Sequence, residues 1–376
     1  MSGKAEWTLR EAYEKGKLPE LEKQNVRRST RQDYATHLRR WDEYWSNRSG
    51  GPAPTVDQVK RRHLEEWRDW LAETLRGRNV PLNVNKHLRS IRAILAWCER
   101  QEIIIRAPAV DRLPAKTVAD KYYLTYEQLD RLYESCGQLT WPDRDQAGAP
   151  LPYSTAEGWR AAIVLFFHYG FRTQELVRYE TDHSALPWRQ IAWEAETPAQ
   201  DGHAENEWGW FWYVPQKQRR RKPQPLILPM NHVVHAHVQS IRPESPDPEV
   251  PLFNWPLSSE KLYREWSRLC EVAEVIPKRN ILTGEQPRYQ LRHFRKTATT
   301  WLNRHRPGIA PLITGHADRD LTTKLLADST LSAAAVDGGL SRISADHYDN
   351  SEIAVVEALR TLPMPNAFDK ILAKGP

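Results

Sequence analysis

Residues 288–316 read RYQLRHFRKTATTWLNRHRPGIAPLITGH. Arg292 and Arg295 stand three apart, which on a helix places both guanidinium groups on one face. Thr297, Ala298, Trp301 and Leu302 follow as a buried stripe at helical spacing, and Ile309, Leu312 and Ile313 lead a second short helix into Gly315-His316. The block therefore sets fixed positive charge and one titratable group beside a packed core. Paired arginines offer planar, bidentate donors that match the oxygens of a phosphate. The competing reading is a basic surface helix closed by a glycine.

Two further places bear on that choice. Arg172 lies in HYGFRTQELV, residues 168–177, at the end of an apolar run containing Ala161, Ile163, Val164, Phe166 and Phe167. An unpaired arginine buried there would be costly, and Glu175, three residues on, is its candidate partner. Tyr348 lies in ISADHYDNSEIAVVEALRTLP, residues 343–363, in a polar turn ahead of an amphipathic helix. In this order GFRTQEL, RHFRKTAT, TGH and HY resemble the motifs of the tyrosine recombinase (phage integrase) family. The resemblance runs from about Val26 to Pro363. Its specificity lies in the order of the four motifs, since none is specific alone.

Composition sets the frame for that resemblance. The chain has 376 residues, 40% hydrophobic and 27% charged, enough for two domains with separate cores. No run of 18 apolar residues occurs, and the N-terminus lacks the apolar stretch of a signal peptide. A soluble cytoplasmic protein with no membrane partner is expected. Cys98, Cys136 and Cys270 are scattered within helical apolar patterns and read as core residues of a reducing compartment. No metal-ligand spacing is present, so neither metal nor cofactor is expected.

The net charge of +6 is unevenly placed. Residues 26–110 hold 17 Lys and Arg against 10 Asp and Glu, residues 1–25 hold five of each, and the remainder is close to neutral. A basic helical module attached to a near-neutral larger one suits a DNA clamp, because phosphate neutralisation supplies most non-specific affinity. A solvated basic face without a ligand is the plainer alternative.

Residues 1–25, interrupted by Pro19, are expected to form an N-terminal extension with at most one loose helix, leaving no room for a further DNA-binding domain. Residues 26–106 read as three or four helices. Ser29 with Gln32 and Thr55 with Gln58 are capping-box signals. Tyr34, Leu38, Trp41 and Trp45, then Leu64, Trp67 and Leu71, then Val84, Leu88, Ile91, Leu95 and Cys98 mark three buried stripes. Lys86, Arg89 and Arg92 fall outside the third stripe, which makes residues 83–100 the candidate groove contact. Residues 107–121 read as an extended linker, and 122–365 as a second domain opened by a Thr125/Gln128 capping box. Residues 366–376 read as a tail. Between 186 and 229, LPWRQIAWEAE, GWFWYVPQK and QPLILPM suggest a small antiparallel sheet. Its last turn carries Arg219, Arg220, Arg221 and Lys222, candidate contacts to a DNA backbone.

The resemblance implies a mainly α fold with a small antiparallel β-sheet, made of an N-terminal helical core-binding (SAM-like) domain and a C-terminal tyrosine recombinase catalytic domain. It implies a site-specific recombinase acting on double-stranded DNA, as a homo-tetramer holding two duplexes, in the integration or excision of a mobile element. Tyr348 would attack the phosphate, Arg172 and Arg295 would grip it, His316 would assist, and Lys217 would protonate the leaving 5′ oxygen. Lys222 is the alternative to Lys217. Two features depart from the family. Arg292 stands where histidine is usual, and an arginine with a pKa above about 12 supplies charge but no base. His293 is adjacent, but one helical step turns a side chain by about 100°. Tyr348 also follows His316 by 32 residues, with Leu325 and Leu326 where a tyrosine would be expected and a small-residue segment, 327–341, between. A type IB topoisomerase-like nicking-closing enzyme and a degenerate DNA-binding member are the alternatives.

Overall fold

Apolar residues at a spacing of three and four build most of this chain into helices. The computed structural model describes residues 6–49, 51–76, 80–114, 122–179, 185–193, 206–213, 226–277, 287–315 and 354–374. The chain divides into two units, Met1–Asp120 and Lys121–Pro376.

In the first unit α3 (Arg28–Tyr44), α4 (Arg61–Thr74) and α5 (Val80–Arg100) enclose a core. Trp41 and Trp67 are fully buried there, with their rings edge to face at 5.3 Å, a favoured aromatic geometry. The stripes read from the sequence supply the core: Leu38 and Trp41 from α3, Leu64, Trp67 and Leu71 from α4, and Val84, Leu88, Ile91, Leu95 and Cys98 from α5.

The N-terminal segment departs from expectation. It is no loose extension: α1 (Leu9–Glu11), a π-helical turn (Ala12–Lys17) and α2 (Leu18–Lys23) run on from one another, and Leu9, Ala12 and Tyr13 join the core of the first unit. Pro19 does not interrupt the run: it occupies the first turn of α2, directly after the π-helical turn. Gly16 lies against Trp97, whose indole N–H donates to Glu20 Oε2 at 2.6 Å.

Two capping signals also act differently from their reading. Ser29 lies inside α3, whose cap is Arg27 without a side-chain bond. Thr55 and Gln58 close a local turn, with Thr55 bridged to Thr8, and α4 begins later, at Arg61. Ser/Thr side chains bond nearby backbone in turns as readily as at helix starts.

The second unit is organised around α7 (Thr155–Tyr169), in which every residue from Gly158 to Tyr169 except Arg160 is buried. A helix apolar all round needs partners on all sides. These are α6 (Tyr126–Ser135), α9 (His232–Ser240) and α11 (Arg292–His305). Thr125 and Gln128 form the expected capping box on α6, and Ser154 with Glu157 forms another on α7. The sheet is antiparallel in the order β1 (Ile191–Ala192), β2 (Trp210–Tyr213), β3 (Leu226–Pro229), with Phe211 opposite both Ile191 and Leu228. Residues 354–360 form a further helix that buries Val355, Val356, Ala358 and Leu359. Residues expected as a tail instead form a 3-10 helix, Asn366–Lys374, that buries Ala367 and Phe368 in the core. Among the described residues no helix is long and apolar enough to cross a membrane.

Candidate functional site

The end of α7 sets the site. Gly170 caps the helix in the left-handed conformation (φ +57°), and a Cβ there would meet Ala298 Cβ and Thr314 Cγ2 at 3.1 Å. Glycine both permits the turn and lets α11 approach. The chain then places Arg172 as the cap of a single helical turn, α8 (Thr173–Leu176).

Glu175 on that turn is buried and serves as the hub. Its Oε2 accepts the Arg172 backbone N–H at 2.9 Å, and its Oε1 accepts from Arg172 Nη1 at 2.6 Å. Arg295 Nη1 lies 3.9 Å from Oε2. A buried carboxylate is tolerable only when paired and hydrogen-bonded, and the two guanidinium groups supply that pairing. Arg295 is oriented further by donating from Nη1 to the Gly170 carbonyl at 2.7 Å and from Nη2 to the Thr314 carbonyl. Thr314 ends α12 (Ala310–Thr314), which Gly315 caps at φ +65°. Residues from three distant stretches are thus locked together by one carboxylate and two carbonyls.

Arg172, Arg292 and Arg295 line one open cleft with Thr173 and Gln174. Arg292 opens α11 and is exposed, and it makes no ion pair among the described residues. His293 turns aside. Its Nδ1 accepts the Gln290 N–H at 3.1 Å, and its ring packs against Tyr122 and Tyr289, off the cleft. Tyr289 does not line the cleft either. Its hydroxyl donates toward Gln128 Oε1 at 3.3 Å, and burial raises its pKa. Chemically, the cleft offers fixed positive charge at every pH in ordinary use, in a fork geometry suited to a phosphodiester.

Of the residues expected at the site, Arg172, Arg292 and Arg295 are brought together. Lys217, His316 and Tyr348 lie outside the described residues, as do Arg219, Arg220, Arg221 and Lys222. Lys86, Arg89 and Arg92 stand exposed on α5 in the first unit, away from its buried stripe. Four cleft residues were not among those expected: Thr173 and Gln174, within the GFRTQEL motif, and two tyrosines, Tyr179 and Tyr263. Tyr179 follows the GFRTQEL motif closely enough to have been suspected. Tyr263 carries no signal, being one residue on the outer side of an amphipathic helix. Among the described residues no group of three His, Cys, Asp or Glu side chains is placed to hold a metal ion.

No protein-family model and no curated protein matches the sequence. Solved structures do match in fold. A Tn1549 transposon integrase in complex with a circular intermediate DNA aligns over 85% of this chain and 94% of its own, with 18% identity and a TM-score of 0.53. The same integrase in complex with transposon right end DNA covers 87% and 97%, with 16% identity and a TM-score of 0.51. Lambda integrase bound to DNA covers 80% and 88%, with 11% identity and a TM-score of 0.51.

Proposed function

We propose that this chain, which has the fold of these integrases, cuts and rejoins DNA strands through a covalent tyrosine ester. One observation carries the reading: Arg172 and Arg295, far apart in sequence, are locked by the buried Glu175 and open on one cleft beside Arg292. A structural ion pair would satisfy Glu175 with one arginine. Three arginines converging on an open cleft suit a dianionic, five-coordinate phosphorus, whose developing charge preorganised donors stabilise.

In the proposed reaction the Tyr348 oxygen attacks the phosphorus, forming the ester to the 3′ side as the bond to the 5′ oxygen breaks. The tyrosine proton passes to His316 or to water, because Arg292 cannot accept it. Lys217 donates a proton to the departing 5′ oxygen, the general-acid step. Attack by a 5′ hydroxyl of another strand reverses these events, and the ester conserves the bond, so the cycle needs no nucleotide cofactor. The substrate in this reading is double-stranded DNA held by a homo-tetramer on two duplexes, in the movement of a mobile element. Lys86, Arg89 and Arg92 of α5, with residues 219–222, are the proposed backbone contacts.

The test uses nicked duplexes drawn from the DNA flanking the coding sequence, incubated in chelator and resolved on a denaturing gel. The wild-type chain is expected to form a covalent adduct, and Arg172→Ala and Arg295→Ala to lower its rate by at least about a hundredfold each, as loss of one transition-state donor does. Tight binding with no adduct would reduce the protein to a DNA binder.

A further inference from the structure

One wall of the arginine cleft is aromatic. Tyr263 projects from α10 (Ser259–Val272) and Tyr179 from the segment after α8, with ring centroids 6.0 Å apart and planes at 70°. Both line the cleft with Arg172, Arg292 and Arg295. Tyr263 is 40% exposed, a large aromatic surface left open beside three cationic groups.

The wall is fixed relative to the arginines by independent contacts. Trp266, one turn beyond Tyr263, is buried, donates its indole N–H to the Tyr289 carbonyl at 3.0 Å, and packs on Phe294 of α11 at 5.3 Å. That ties α10 to the helix that begins with Arg292. On the other side Val177 bridges to Phe253, which sets the strand-like segment leading into Tyr179.

We propose that Tyr263, braced by Tyr179, packs against the nucleoside attached to the phosphate in the arginine cleft. A free phosphate would need only the cations, whereas a nucleic-acid phosphodiester brings a base, with flat apolar faces, close to its charged group. An aromatic ring next to a phosphate grip fits that neighbour where the strand leaves the duplex stack, as beside a nick, and its contact tolerates any sequence because every base has a π-face. This inference rests on the cleft being a phosphodiester site.

Its test compares a fluorescein-labelled oligothymidylate with the abasic phosphodiester of the same length, binding measured by anisotropy on the full chain. The two probes carry equal charge and differ only in bases. The wild-type chain is expected to prefer the base-bearing strand by about fivefold or more, the lower end of one stacking contact. Tyr263→Ala is expected to lose most of that preference while holding the abasic strand as before, and Tyr263→Phe to retain it. An unchanged preference in Tyr263→Ala, or an equal loss on both probes, would overturn the aromatic contact alone. If the wild-type chain bound duplex DNA but neither probe, the aromatic contact alone would fall. If it bound neither the probes nor duplex DNA, the phosphodiester reading would fall and this inference with it.

Discussion

Glu175 is the residue on which the cleft depends. It is buried, and its oxygens face Arg172 at 2.6 Å and Arg295 at 3.9 Å. Replacing it by Gln keeps the shape and removes the charge, leaving two guanidinium groups facing each other. Both arginines retain some exposure, so water recovers part of the loss, and we expect destabilisation of about 1–3 kcal/mol in urea melts, below the range for breaking a fully buried pair. Adduct formation should fall more steeply than stability. A variant as stable and active as the wild type would remove Glu175 from the account. The Arg172–Glu175 pairing was legible in the sequence from three-residue spacing after an apolar helix. The second pairing, to Arg295, was not, because no local pattern tells which distant segment packs on a helix end.

At the scale of elements, the stripes of α3, α4, α5 and α11 could be read directly, since burial on one side of a helix imposes a period that survives any tertiary arrangement. Starts were harder. The Thr125/Gln128 signal marks α6, whereas Ser29 lies within a helix that already runs from Arg28. The N-terminal segment shows what the reading undervalued: Leu9, Ala12 and Tyr13 have helical spacing, but Pro19 suggested a break that the structure absorbs at the first turn of α2. A substitution tests whether this segment belongs to the first unit's core. A Cβ on Gly16 would lie 2.0 Å from the Trp97 ring, and that ring is held by Glu20, so it cannot swing away freely. Gly16→Ala should cost about 1–3 kcal/mol, as overpacking does, in the melting of the first unit. No change in that transition would mean that the segment is not packed as described.

For the whole molecule, acid is the natural probe, because each unit buries histidines as the neutral form. His87 in the first unit, its ring 4.1 Å from that of His37, is lowered to about 4 by burial, with the neighbouring His37 adding to the shift. His168 and His237 in the second unit are likewise lowered to about 4, mainly by burial. The folded state therefore binds fewer protons than the unfolded chain between the ordinary value near 6.5 and about 4. Stability supplied by these groups is complete above 6.5 and is lost as pH falls through that window. Urea midpoints of both units should drop between those two pH values, and flat midpoints would contradict neutral burial. Two units with separate cores also make a single melting temperature an unsafe summary.

Tyr348, the proposed nucleophile, lies outside the described residues and is assigned by the order of the motifs. The direct measurement is peptide mapping by mass spectrometry of the covalent adduct formed on nicked duplexes in chelator, with Tyr348→Phe run alongside. The account predicts a nucleotide-linked peptide containing Tyr348 in the wild-type digest and no adduct from the variant. A linkage at another tyrosine, Tyr263 of the cleft included, or an adduct that survives the substitution, would contradict it.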